Sequence, residues 1–368
     1  MKIGILTFHL AHNYGAVLQA YALQEVLKKE GHEVEIINYR PSCIEDVYKL
    51  FSLRIYKNDR LVGKIRRFTG RMVTFWARCK RYRKFERFIK LHLSLSKEYA
   101  RDKSEIPQGY NVYVFGSDQI WNPRLSHGLN EVYLGRFQCE NEARKVAYAA
   151  SMGTEYVLEK AERNLLAESL KRFYAVGVRE ESLRGLLSDL RIDSTVVLDP
   201  TLIAERGIFD CLAVKPVCPF RYVLLYRLEK DAHAFDFAQQ IALQLGAEVV
   251  EIAPYKIWLR DKGRRIVSAI SPEEFCGWFK YAACVISISF HGTAFSVIFR
   301  KDFYCLKSPL QDRSRNLLES LGLEGRLIAS DSPVVFKQVD YSEAEKKMEK
   351  LKEISKNFLL NAINEKTS

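Results

Sequence analysis

The chain is 368 residues long, 48% hydrophobic and 28% charged, with 57 Lys and Arg against 45 Asp and Glu and a formal net charge of +12. This composition excludes a disordered chain, and the length calls for two domains rather than one core. No apolar run approaches the ~20 residues that cross a bilayer, and the start MKIGILTFHLAHNYG lacks the long apolar core of a secretory signal, so a cytoplasmic protein is expected.

KIGILT, residues 2–7, predicts a buried first strand, and the polar loop HLAHNYG follows it. AVLQAYALQEVLKKEG then carries apolar residues at 17, 18, 21, 23, 26 and 27, with Gly31 as a stop, which is helical spacing. HEVEIINY predicts a second strand. Strand, glycine-bearing turn, helix and strand open a doubly wound α/β domain. The pattern returns at NVYVFGSD, RKVAYAASMG, RFYAVGVREESLRGLL and STVVLDPTL.

Past Pro200 the composition shifts. ERGIFDCLAVKPVCPF holds Gly207, Pro216 and Pro219 in a short span and reads as a linker. A second α/β series follows: RYVLLYRLE, a helix near 231–245, GAEVVEIA, and a helix after SPEEF, where Ser271 and Glu274 fit a capping box. CVISIS, the turn FHGTAF and the strand KDFYCL come next, and 342–360 predicts a charged amphipathic helix. The expected organisation is an N-terminal Rossmann-like domain, 1–204, with a basic helical insert at 54–92, then a second Rossmann-like domain, 205–340, and a C-terminal helix, 341–368. Two such halves facing one another place the carboxyl ends of both sheets on a shared cleft, where ligands of open α/β sheets bind.

Three positions carry chemistry at strand ends. His291 closes a β-favouring run and opens a helix, so it sits beside unpaired N–H groups suited to an anion, where it can donate a proton; Gly292 lets backbone approach a ligand. A satisfied core histidine is the competing reading. Arg179 in VGVREESL can hold phosphate or carboxylate with its planar fork, or simply pair with Glu180 or Glu181. Asp118 in VFGSDQIWNP can orient or deprotonate hydroxyls while Trp121 offers an apolar face to a sugar ring; an ordinary Asx turn is the alternative. His9 and His12 flank the first loop within reach of a ligand. Asn13-Tyr14-Gly15 is not a dinucleotide fingerprint, and no P-loop, H-E-x-x-H or G-x-S-x-G is present. The eight cysteines are scattered without metal-ligand spacing and read as buried or idle thiols.

Between Arg54 and Lys90 there are fourteen Lys and Arg and two acids, Asp59 and Glu86, so one segment carries the whole charge imbalance. Phe68, Met72, Phe75, Trp76, Phe85 and Phe88 interleave with the arginines. On a helix this makes an apolar stripe rimmed by positive charge. Such a helix suits an anionic membrane surface, a single-stranded nucleic acid, or plain packing with a solvated basic face.

NYGAVLQAYALQ, VFGSDQIWNP, KVAYAASMG, VGVREESL, VLDPTL, SPEEF and SFHGTAFSVIF, in that order, resemble the polysaccharide pyruvyl transferase family, and DRSRNLLESLGL resembles its downstream region. The resemblance covers about residues 3–325. It implies two Rossmann-like domains arranged as in the glycosyltransferase-B fold, and transfer of pyruvate from phosphoenolpyruvate to a sugar as a ketal across two hydroxyls. By position, His291 matches the family's donor-site histidine, with Ser289, Phe290, Gly292 and Thr293 around it. Arg179 matches an arginine expected to hold the donor's phosphate or carboxylate. Asn13, Tyr14 and Gly15, with Gly116, Ser117, Asp118 and Gln119, match acceptor-side loops. One departure stands out: family members usually carry an aspartate where this chain has Ile288.

Ketal formation asks for a proton donor and an anion cradle on the donor side and a base for the acceptor hydroxyls, and it requires no metal or cofactor. The expected partners are a saccharide acceptor, lipid-linked or free, and an anionic membrane surface met through 54–92, placing the enzyme peripherally on the inner membrane face. A sugar-nucleotide glycosyltransferase of the same architecture and a basic nucleic-acid-binding protein are the other readings.

Overall fold

The computed structural model describes residues 1–48, 74–139, 143–153, 157–227, 231, 233–254, 264–308, 312–333 and 335–365. The chain divides into two compact units. Met1–Glu45, Ile89–Glu205 and Lys346–Ser368 form the first; Asp46–Phe88 and Arg206–Glu345 form the second.

The first unit is built on a seven-stranded sheet: β1 (Lys2–Leu6), β2 (Glu33–Tyr39), β3 (Leu95–Ala100), β4 (Val112–Phe115), β5 (Arg144–Ala150), β6 (Ala175–Val178) and β7 (Thr195–Val196). Their order is β3-β2-β1-β4-β5-β6-β7, and every pairing is parallel. Central strands of a parallel sheet are covered on both faces, so they read as unbroken apolar runs, and β4 (VYVF) is buried at all four residues. The helix Tyr14–Lys29 starts where Asn13 accepts from the Gly15 N–H at 2.9 Å, and it ends with Lys28 and Lys29 against its carbonyl end. Strand order reverses between β1 and β4, where Leu6 pairs with Phe115. That reversal opens a crevice beyond the carboxyl ends of the two strands.

The second unit repeats the plan with β8 (Tyr222–Tyr226), β9 (Glu248–Ala253), β10 (Arg265–Ser268), β11 (Cys284–Ser287), β12 (Asp302–Leu306) and β13 (Leu327–Ile328), in the order β10-β9-β8-β11-β12-β13. Its reversal lies between β8 and β11, where Tyr226 pairs with Ser287. Val223, Leu225, Phe237, Ile241 and Ile286 lead one apolar core. Ser271 and Glu274 form the capping box of the helix Pro272–Tyr281.

Three expectations change. The span expected as a linker begins with the helix Arg206–Leu212, whose fully buried Phe209 meets Phe295 edge-on at 5.1 Å between ring centroids. The C-terminal segment is not a separate appendage: Lys346 onward belongs to the first unit, where Ser355 Oγ accepts from the Leu198 N–H at 2.9 Å. Within the basic insert, Asp46–Phe88 groups with the second unit, and the helix Phe75–His92 holds Phe85 and Phe88 fully buried. Its apolar stripe therefore faces the core, and no continuous apolar stripe is left for a membrane among the described residues. Residues 54–73, with Phe68 and Met72, lie outside the described residues. No helix among the described residues is long and apolar enough to cross a membrane.

Candidate active site

At the first unit's reversal, β1 and β4 deliver two loops side by side, and Thr7 Oγ1 donates to the Ser117 carbonyl at 2.9 Å. Gly116 has φ +116, and a Cβ there would fall 2.2 Å from the Tyr148 carbonyl oxygen, so only glycine lets β4 turn this closely against β5. Asp118 follows in the left-handed region at φ 74, a conformation Asp tolerates and one that often marks a functional turn.

Around this turn three carboxylates surround one guanidinium. Arg179 Nη1 lies 2.6 Å from Asp199 Oδ2, Nη2 lies 3.6 Å from Asp118 Oδ1, and Nε lies 3.8 Å from Glu180 Oε1. Asp199 is pinned further by Ser117 Oγ at 3.1 Å and by Thr201 through its N–H at 3.0 Å and Oγ1 at 2.7 Å. Ser151 Oγ donates to Glu180. Burial opposes a charge on Arg179, but Asp199, Glu180 and Asp118 outweigh it and raise the guanidinium pKa, so it stays a cation. Of the three carboxylates Asp118 is the most exposed, at 13% against 1% for Glu180 and 0% for Asp199. Asp118 is therefore the one that can meet a ligand from solvent.

This arrangement corrects the reading of Arg179 as a fork for an incoming anion. Its side chain is 2% exposed and already engaged by the protein's own carboxylates. A dianion approaching one positive and three negative charges meets net repulsion. Trp121 is corrected as well: it is 1% exposed and its indole N–H donates to the Tyr133 carbonyl at 2.9 Å, so it packs the core rather than a sugar. Ser117 is wholly buried on Asp199, and Gln119 Oε1 accepts from Asn122 Nδ2 at 2.6 Å beside Gly153. Asn13 is the helix cap, with Tyr14 and Gly15 buried in the first turn behind it. His9 is 1% exposed, its ring nitrogens 3.3 Å from the Thr7 carbonyl and 3.4 Å from Asn38 Oδ1. His12 is buried too.

At the second unit's reversal, β11 runs through Ser289 into the helix Phe290–Ile298, with His291 in its first turn at 8% exposure. The Phe290 and His291 rings meet edge-on at 5.1 Å. Ser289 makes no side-chain cap bond and the first turn holds no acid, so this helix start keeps N–H groups and partial positive charge for an anion. Gly292 serves packing, not ligand approach: a Cβ there would sit 1.9 Å from Ser287 Oγ. Thr293 is fully buried and bonds the Ser289 carbonyl at 3.2 Å. Ile288, in place of the usual aspartate, is 4% exposed within the apolar core. His291 and Arg179 belong to different units.

A family profile described as polysaccharide pyruvyl transferase matches residues 13–308, a span that takes in Asp118, Arg179, Asp199 and His291. The chain belongs to the polysaccharide pyruvyl transferase family. No curated protein matches the sequence. Among solved structures, a Listeria monocytogenes protein assigned as a UDP-N-acetylglucosamine 2-epimerase is similar at 8% identity and TM-score 0.51, covering 99% of this chain and 94% of its own. The glycosyltransferase SnogD from Streptomyces nogalater matches at 11% identity and TM-score 0.42, covering 97% and 95%. With the two parallel sheets, the Listeria likeness shows a fold of two Rossmann-like domains, as in glycosyltransferase-B enzymes.

Three residues of this pyruvyl transferase family member were not singled out from the sequence. Asp199 in VLDPTL joins Glu180, the neighbour named as an alternative partner, in the Arg179 cluster. Arg227, just past β8, holds Glu251 of β9 at 2.8 Å, and the Arg313 guanidinium stacks 5.6 Å from the Phe290 ring. Asp199 had a local signal, Asp before Pro-Thr at a strand end, which is also an ordinary helix cap. A cavity of about 990 Å³ opens in the first unit among Lys103, Arg136, Phe137 and Arg172. These residues precede β4, β5 and β6, so it lies at the amino ends of the strands and holds none of the predicted site residues.

Proposed function

We propose that this enzyme transfers pyruvate from phosphoenolpyruvate to a saccharide of a cell-surface polysaccharide, free or lipid-linked, joining one carbon to two hydroxyl oxygens as a ketal. The family match over residues 13–308 carries the reading, and the chemistry of the two turns supports it. In the balanced reaction C3 of the enol takes a proton and becomes a methyl group. The bond from C2 to the phosphate oxygen breaks, and the two sugar oxygens add to C2 in turn. Of the two hydroxyl protons, one replaces the proton given to C3 and the other leaves with phosphate.

His291 is assigned the proton donation to C3, and the start of the helix Phe290–Ile298 receives the donor's negative charge, with Arg313 beside Phe290 as the nearby cation. Asp118 accepts the acceptor's hydroxyl protons. Arg179 is a positioning residue, which orients Asp118 while Asp199 and Glu180 hold it in turn.

The test is incubation of the purified chain with phosphoenolpyruvate and candidate saccharides. Phosphate release matched by acceptor gaining one pyruvate less water is expected. Consumption of a sugar nucleotide with no dependence on phosphoenolpyruvate overturns the assignment in favour of a glycosyltransferase.

A further inference from the structure

The helix Phe75–His92 carries seven Lys and Arg and a single acid, Glu86. Its exposed residues fall at 76, 80, 83, 87, 90 and 91. At 100° per residue these occupy about 100° of arc, along roughly 20 Å of axis. The stripe reads Trp76, Lys80, Arg83, Arg87, Lys90 and Leu91: four cations between two exposed apolar side chains. Trp76 is 80% exposed, the most exposed aromatic among the described residues, and Leu91 is 61% exposed.

Several exposed helical cations elsewhere have an acid at hand: Lys29 has Glu205, Arg184 has Glu181, and Arg206 has Asp210. Even on this helix, Lys84, off the stripe, pairs with Glu274. No ion pair is made by Lys80, Arg83, Arg87 or Lys90 among the described residues. The opposite face is fixed, with Phe85 and Phe88 fully buried and Ile89 at 3% exposure. The cations are thus presented in line on one helix, and none is engaged in an ion pair among the described residues.

We propose that this stripe docks the enzyme on an anionic lipid bilayer. A flat, dense layer of negative headgroups over an apolar interior complements four cations in line with an indole at one end. The buried phenylalanines exclude deep insertion of the helix, so the contact is electrostatic with Trp76 at the interface. A single-stranded nucleic acid fits less well, because it asks for several exposed aromatic faces to stack its bases and the stripe has one. The inference does not depend on the donor or on the reaction.

The experiment is co-sedimentation of the full chain with phosphatidylcholine vesicles, and with vesicles in which about a third of the lipid is phosphatidylglycerol. The expected result is binding to the anionic vesicles alone, weakened by salt. K80Q/R83Q/R87Q is expected to lose on the order of 10²-fold, roughly fivefold per cation. The charge-keeping K80R/R83K/R87K is expected to retain binding, which separates lost charge from lost fold. Equal binding to both vesicle types, or undiminished binding by the glutamine variant, overturns the proposal. So does tighter binding to a single-stranded oligonucleotide at the same ionic strength. Pyruvyl transfer to a soluble acceptor reports separately on the chemistry.

Discussion

The guanidinium of Arg179, just past the end of β6, and the carboxylate of Asp199, in the turn after β7, meet at 2.6 Å with side chains 2% and 0% exposed. Two ions so deeply buried are held by each other and by the hydroxyls around them, so removing one strands the other. Asp199→Ala is expected to cost about 3–5 kcal/mol of unfolding free energy. Asp199→Asn, which keeps a hydrogen-bonding side chain, should cost less. Urea unfolding of the two variants checks this, and wild-type stability in Asp199→Ala would show the pair to be incidental.

The proposed role of Arg179, positioning Asp118 rather than holding the donor, predicts that Arg179→Lys lowers kcat with little change in the KM for phosphoenolpyruvate. A point charge cannot face three carboxylates as a planar fork does. A rise confined to the donor KM would return Arg179 to the donor site.

His291→Gln keeps a polar side chain at the helix start and removes the titratable ring. Turnover at saturating donor is expected to fall on the order of 10²-fold or more, as loss of a general acid does. The thermal midpoint should stay near wild type. Full turnover in this variant would leave the histidine as a core residue.

Gly292→Ala places a methyl group 1.9 Å from Ser287 Oγ and 3.0 Å from Tyr226 Cδ1, on β11 and β8 beneath the His291 turn. The expected loss is about 1–3 kcal/mol, the range of an overpacked core. Activity should drop with it, since the helix start must shift to relieve the clash. Differential scanning calorimetry alongside the phosphate-release assay reads both.

All three fully buried thiols are held protonated by burial: Cys284 is pushed up to about 12, and Cys276 and Cys305 are raised in the same sense. In the unfolded chain a thiol loses its proton near pH 8.5, so above that pH the folded state binds more protons than the unfolded one. Stability from these groups is complete below about pH 8.5 and is lost as pH rises toward their folded values. Unfolding free energy measured in steps toward pH 12 should therefore fall. At about pH 8, Ellman's reagent should modify the exposed Cys211 and spare Cys276, Cys284 and Cys305.

The central strands were legible because a parallel sheet buries both faces and leaves continuous apolar runs such as YVLLY and VYVF. The strands β3, β10 and β13 were not: LSKEYA lies at a sheet edge with Lys97, Glu98 and Tyr99 exposed, and its pattern looks like loop. The turns that carry His291 and Asp118 were legible as strand ends, because an apolar run breaks there beside a glycine. The Arg179 cluster was not, because Arg179 and Asp199 meet only when β6 and β7 pair, and local sequence says nothing of which side chains converge. Trp121 was misread for a related reason, since composition does not tell an aromatic ring that faces a sugar from one that fills a core.

The helix Ser342–Asn364 sends Leu359 and Ile363, both fully buried, into a unit whose first strand begins at Lys2. Phe358 lies against Gly177 of β6, and Arg144 Nη1 reaches the Ile363 carbonyl at 3.2 Å. During synthesis, then, the amino-terminal unit has all seven strands available and still lacks part of its core until residues 346–364 have left the ribosome. The order of translation makes the second unit the one able to finish first.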